Sequence, residues 1–140
     1  MRVVFRQCIF RHSHCNRPRM IQETFRYLRE WSACMGMNPA DLIEVGVPRS
    51  EDGRLTAYTC ALEYPLPAID EDAEVSLGEL PGGRYAVLRV EKDPAHIEKA
   101  VLQLKTAHMP GHGLVQDPYR PVYEIFQGHE LDYCVPLLGK

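Results

Sequence analysis

Two stretches of this 140-residue chain carry the same helical stripe, and that repetition limits the folds open to it. The first is Ile21, Thr24, Phe25, Leu28 and Trp31; the second is Ile97, Ala100, Val101, Leu104 and Ala107, each displaced by one constant interval. Spacings of three and four residues put each set on one side of a helix. The flanking strand patterns repeat too. Val3-Val4-Phe5-Arg6 before the first helix answers to Ala86-Val87-Leu88-Arg89 before the second. Leu42-Ile43-Glu44-Val45 answers in the same way to Val122-Tyr123-Glu124-Ile125. A strand-helix-strand-strand unit used twice accounts for all of these matches.

The first unit opens with a strand over residues 2–10. A polar loop follows, then a helix with Pro18 in its first turn and Asn16 or Arg17 as cap. Its inner stripe is Ile21, Phe25, Leu28, Ser32 and Met35; Gln22, Glu23, Arg26, Arg29 and Glu30 cover the outside. Gly36 is placed to end it. Residues 42–47 read as a strand stopped by Pro48, residues 50–53 as a hairpin turn, and residues 55–64 as the return strand. In the second unit, residues 78–91 hold a strand and Asp93 or Pro94 opens a helix to about His108. Residues 122–127 and 131–138 form the last hairpin around Gly128-His129. The expected fold is α+β, one domain over residues 1–140 built of tandem duplicated β-α-β-β units. The half-units cover about 1–66 and 75–140, with an acidic linker of about 67–74. Each antiparallel sheet is covered by one helix. A pseudo-twofold axis relates the units and leaves a groove between their open sheets.

A formal charge of −3 is the wrong sign for a nucleic-acid surface. No apolar run approaches the ~20 residues of a membrane span. Arg2, Arg6 and Arg11 interrupt the N-terminal apolar stretch, unlike a secretory signal. Five cysteines, at 8, 15, 34, 60 and 134, with no Cys-x-x-Cys, fit free thiols in a reducing cytoplasm.

The chemistry gathers on Glu124, an acid at the centre of the aromatic and branched strand Val122-Tyr123-Glu124-Ile125-Phe126. An acid there is costly to desolvate unless a cation or donors meet it. It either lies on a solvated face, pairs with an arginine such as Arg120, or receives a ligand. Glu44 holds the equivalent place in the first unit, and both acids could border the groove. Phe126, Tyr58, Tyr133 and Trp31 are candidate aromatic walls, each equally readable as core. Cys8, His12, His14 and Cys15 are metal-ligand types without a standard zinc spacing, so no metal is expected. No nucleophile elbow or phosphate loop is present, and no catalytic residues or cofactor are expected.

Several segments together resemble the GyrI-like small-molecule-binding domain. They are I-x-x-T-F-x-x-L-x-x-W at 21–31, LPGGRYAVLRV at 80–90, VYEIF at 122–126 and D-Y-C-V-P-L at 132–137. Such domains serve as effector-binding domains of AraC-type transcription regulators and also stand alone. The resemblance implies a duplicated β-α-β-β fold. It also implies a groove in which the acid at Glu124 meets cationic aromatic ligands. The chain departs from the family where Gly-Pro-Tyr usually precedes each helix, and at Glu44, commonly glycine.

The function expected is therefore that of a ligand sensor. It binds a small hydrophobic molecule, cationic or neutral, in the groove, and reaches DNA only through a separate domain. Two alternatives accompany it: inhibition of DNA gyrase by protein contact, with Asp70, Glu71, Asp72 and the first loop as surface, and hydrolysis of reactive small molecules.

Overall fold

The computed structural model describes residues 1–11, 17–65 and 74–139. His12, His14, Cys15, the cap candidate Asn16 and the acids Asp70, Glu71 and Asp72 lie outside the described residues. The fold is α+β, with antiparallel strand pairing, in two compact units, Met1–Leu80 and Pro81–Lys140.

The first unit runs β1 (Arg2–Ile9), α1 (Arg17–Cys34), a 3-10 turn (Pro39–Asp41), β2 (Glu44–Glu51), β3 (Arg54–Glu63) and β4 (Ser76–Glu79). Its strands lie in the order β4-β1-β3-β2. Cys8 pairs with Tyr58 and Glu44 with Leu62. Side chains alternate along a strand, so Val4, Arg6, Cys8, Glu44, Gly46, Tyr58, Cys60 and Leu62 share one face. α1 lies on that face. Phe25 meets Tyr58 edge to face at 6.5 Å. The Arg6 guanidinium lies over Tyr27 at 4.1 Å. Phe25, Leu28 and Ser32 are the buried residues of α1, as the stripe requires. Met35 is 43% exposed instead, because α1 ends one residue earlier. Gly36 takes φ +84° there, and the Met37 N–H donates to the Ser32 carbonyl at 3.0 Å, closing the last turn.

Pro48 does not stop β2. It pairs with Tyr58 next to a bulge between Arg49 and Ser50, where a missing N–H is tolerated. Asp52 and Gly53 both take positive φ and make the tight hairpin turn.

The second unit runs β5 (Tyr85–Glu91), α2 (Pro94–Gln103), β6 (Tyr123–Gln127) and β7 (Glu130–Pro136), with strand order β6-β7-β5. The strand expected within 78–91 is in fact two pieces. Ser76–Glu79 pairs with β1, Pro81-Gly82-Gly83 interrupts, and Tyr85–Glu91 pairs with β7. Asp93 caps α2, its side chain accepting from the N–H groups of Ala95 and His96. α2 passes into a π turn, Leu104–His108, and a last helical turn, Met109–Gly111. Leu104, Met109, Val135 and Leu137 form one core cluster, with Ala86, Leu88, Leu114 and Tyr133 against it. α1 packs on both β1 and β3, whereas α2 packs chiefly on β5. No residue of α2 is fully buried before Leu104.

Both units therefore connect strand, helix, strand, strand. Within each, the third of these strands lies between the first and second.

Candidate functional site

β6 presents Glu124 opposite Tyr133 and Phe126 opposite Leu131. All four share one face, because pairing and the two-residue period fix it. It is the face that carries α2, since Tyr133 packs against the Leu104 core. The sequence reading let both strand acids border a groove between open sheets; the register within each unit turns the acid to the helix side. α2 sits over β5, with β7 intervening before β6. Glu124, Phe126 and Tyr133 are accordingly half-buried, neither sealed in the core nor bathed in water.

Burial, and then the Glu124 charge, push the Tyr133 phenol up to about 12. At neutral pH the phenol is a hydrogen-bond donor beside a carboxylate. The Phe126 ring carries the Lys92 ammonium at 4.9 Å, so its π face already holds a cation. Lys92 escaped the sequence reading. Its signal was position: it follows β5 directly and continues the alternation of Leu88 and Val90.

Arg120, the partner first considered for Glu124, is engaged elsewhere. Its guanidinium donates to Asp117 Oδ2 at 2.9 Å and to the carbonyls of Gly82, Arg84 and Leu137. It also lies over Tyr85 at 4.9 Å. The Arg120 contact and the Tyr119 N–H hold the Asp117 carboxyl below its ordinary range. Tyr85 and Tyr123 stack at 5.1 Å on the opposite face, both hydroxyls donating to the Pro81 carbonyl. These groups hold the ends of β5, β6 and β7 together.

The remaining candidates belong to the first unit. Tyr58 is 4% exposed and packs under α1, with its hydroxyl lodged over Gly46. Trp31 is half-buried against Tyr64, with ring centres 5.9 Å apart. Glu44 accepts from the Arg29 guanidinium in an ion pair. The sequence reading placed Arg29 on the outer side of α1. A long side chain at the stripe edge reaches back to the sheet, which helical spacing alone does not show.

Cys8 is buried, with its thiol 3.1 Å from the Thr24 hydroxyl. Among the described residues, no group of three or more His, Cys, Asp or Glu could hold a metal ion. No helix among them is long and apolar enough to cross a membrane.

The second unit thus brings together a carboxylate, a protonated phenol and an aromatic ring on one partly open face. That arrangement suits a small organic molecule. No curated protein matches the chain. The sequence pattern of the GyrI-like small molecule binding domain does match, over residues 1–137, and this chain belongs to that family.

Proposed function

We propose that this chain is the ligand-sensing domain of an AraC-type transcription regulator, built by tandem duplication of one unit, and working in the cytoplasm. It binds a small hydrophobic cation on the helix-bearing face of its second unit. The observation that carries the reading is the triad of Glu124, Tyr133 and Phe126, half-buried on that face. Glu124 supplies the charge, Tyr133 a hydrogen bond, and the Phe126 ring, its π face held by Lys92, an apolar edge. Membership of a small-molecule-binding family supports the ligand class in general terms.

The proposal is of binding without turnover. With its phenol held up to about 12, Tyr133 is a poor base at neutral pH. Occupancy can act on a DNA-binding partner only through different affinities for two states of the regulator.

Titration with tetraphenylphosphonium tests the charge claim. Glu124→Gln should weaken binding by about tenfold or more, ~1.4 kcal/mol. The uncharged triphenylphosphine oxide should bind both proteins alike. Equal affinity of the cation for both proteins would remove the charge-recognition claim.

A further inference from the structure

β5 is an outermost strand, and among the described residues it pairs only with β7. The Lys92 N–H donates to the His129 carbonyl, and the Arg84 carbonyl accepts from the Leu137 N–H. Arg84, Lys92 and the even-numbered residues between them therefore turn their backbone groups to β7. Tyr85, Val87, Arg89 and Glu91 turn theirs to the outer edge. The Glu91 carbonyl accepts from the Asp93 N–H at 2.8 Å. Among the described residues, no backbone partner meets the outward groups of Tyr85, Val87 and Arg89.

Such an edge templates pairing with another chain unless it is short, bulged or blocked by charge or proline. β4, an outermost strand of the first unit, is four residues long. β5 runs unbroken for seven, and Val87 on it is 59% exposed. The helix above shares the same margin. α2 packs chiefly on β5, and none of its residues before Leu104 is fully buried.

The outward groups select their occupant. They belong to residues 85, 87 and 89, spaced evenly about Val87. A second β5 laid antiparallel about Val87 pairs all of them, Val87 with its own copy and Tyr85 with Arg89 in both directions. On the open face each Arg89 then stands across from a neutral ring. Centring the pair on Arg89 would instead set like charges opposite each other. The two-fold axis is perpendicular to the sheet, so both copies of α2 lie on one side of it. They can then pack together at the usual spacing of about 8–10 Å.

We propose that two copies of this chain join their β5 edges antiparallel, about a two-fold axis at Val87, to make one continuous sheet. The pairing satisfies the open backbone groups and covers the thinly packed flank of α2 in one step. It is independent of the ligand reading and uses none of Glu124, Phe126 or Tyr133.

Sedimentation equilibrium of the ligand-free protein decides it. The wild-type mass should rise with concentration from 16.0 kDa toward twice that value, at concentrations below about 1 mM. Val87→Lys and Val87→Asp each set like charges on the axis and should weaken association by about tenfold or more. An equimolar mixture of the two variants should restore it, because only a residue on the axis meets its own copy. A wild type that stays at 16.0 kDa up to about 1 mM overturns the proposal and leaves the edge to a strand of another protein. Association that survives both substitutions, or that the mixture fails to restore, overturns it as well. So does loss of folded circular dichroism in both variants, which would make Val87 part of the unit's own core.

Discussion

Tyr133 is where burial and charge act in one direction on one side chain. Burial disfavours the phenolate, and the Glu124 charge disfavours it further. In carbon-labelled protein, the Tyr133 ring resonance should titrate near 12, and Glu124→Gln should lower that midpoint without restoring the ordinary value of about 10. A folded-state value above the unfolded one means this phenol supports folding below the unfolded value. That support is lost as pH rises through about 12. Asp117 works in the opposite sense. Its carboxyl is held low, first by the Arg120 hydrogen bond and then by the Tyr119 N–H. Its contribution is present above the unfolded value of about 3.9 and is lost as pH falls through the depressed one. Acid denaturation followed by circular dichroism should show a shallower dependence on pH in Asp117→Asn across that interval. An unchanged slope would mean that the Arg120 contact does not couple to folding.

At the scale of elements, two glycines of the first unit do different jobs, and substitution tells them apart. Gly36 stands clear of other atoms but at φ +84°. Gly36→Ala should cost about 1 kcal/mol of stability from conformation alone, on the scale of the left-handed penalty. At Gly46 the obstacle is space, since an added Cβ would lie 1.7 Å from the Tyr58 hydroxyl oxygen. Gly46→Ala must move a buried ring, at about 1–3 kcal/mol. Thermal melts should show Gly46→Ala coupled to Tyr58→Ala and Gly36→Ala additive with it. The same contrast explains what was legible beforehand. The Gly36 stop, the Asp93 cap, the 52–53 turn and the Phe25-Leu28-Ser32 stripe follow from local rules, and a sequence displays local rules directly. Pro48 and Arg29 were misread because a bulge and a long side chain settle them through the neighbouring strand. β4 was missed as a separate strand because its pairing with β1 joins residues far apart in sequence. Glu124, Phe126 and Tyr133 were each named from the sequence as candidates. Their common face became known only from the pairing of β6 with β7.

Taken as a whole molecule, the chain joins two units of like connectivity and unlike solidity. α1 is anchored by three buried residues on two strands, while α2 reaches Gln103 with none fully buried and rests chiefly on β5. Helices in proteins owe most of their stability to packing. α2 therefore has less to lose by opening, and local opening free energy falls where buried apolar contact is thin. The proposed ligand face lies on the sheet side that α2 only partly covers, so the looser helix is also the one beside the ligand. Looseness at a binding element is useful to a sensor, because a ligand that orders it converts binding into a change of state. Native-state amide exchange should find residues 98–103 exchanging through local opening, well before residues 24–32, which should follow global unfolding. Saturating tetraphenylphosphonium should slow exchange in 98–103 as well as in 24–32, because the ligand must leave before either the helix or the whole fold opens. Protection confined to α1, or none in α2 at saturation, would contradict placement of the ligand beside Glu124 and leave its family membership untouched.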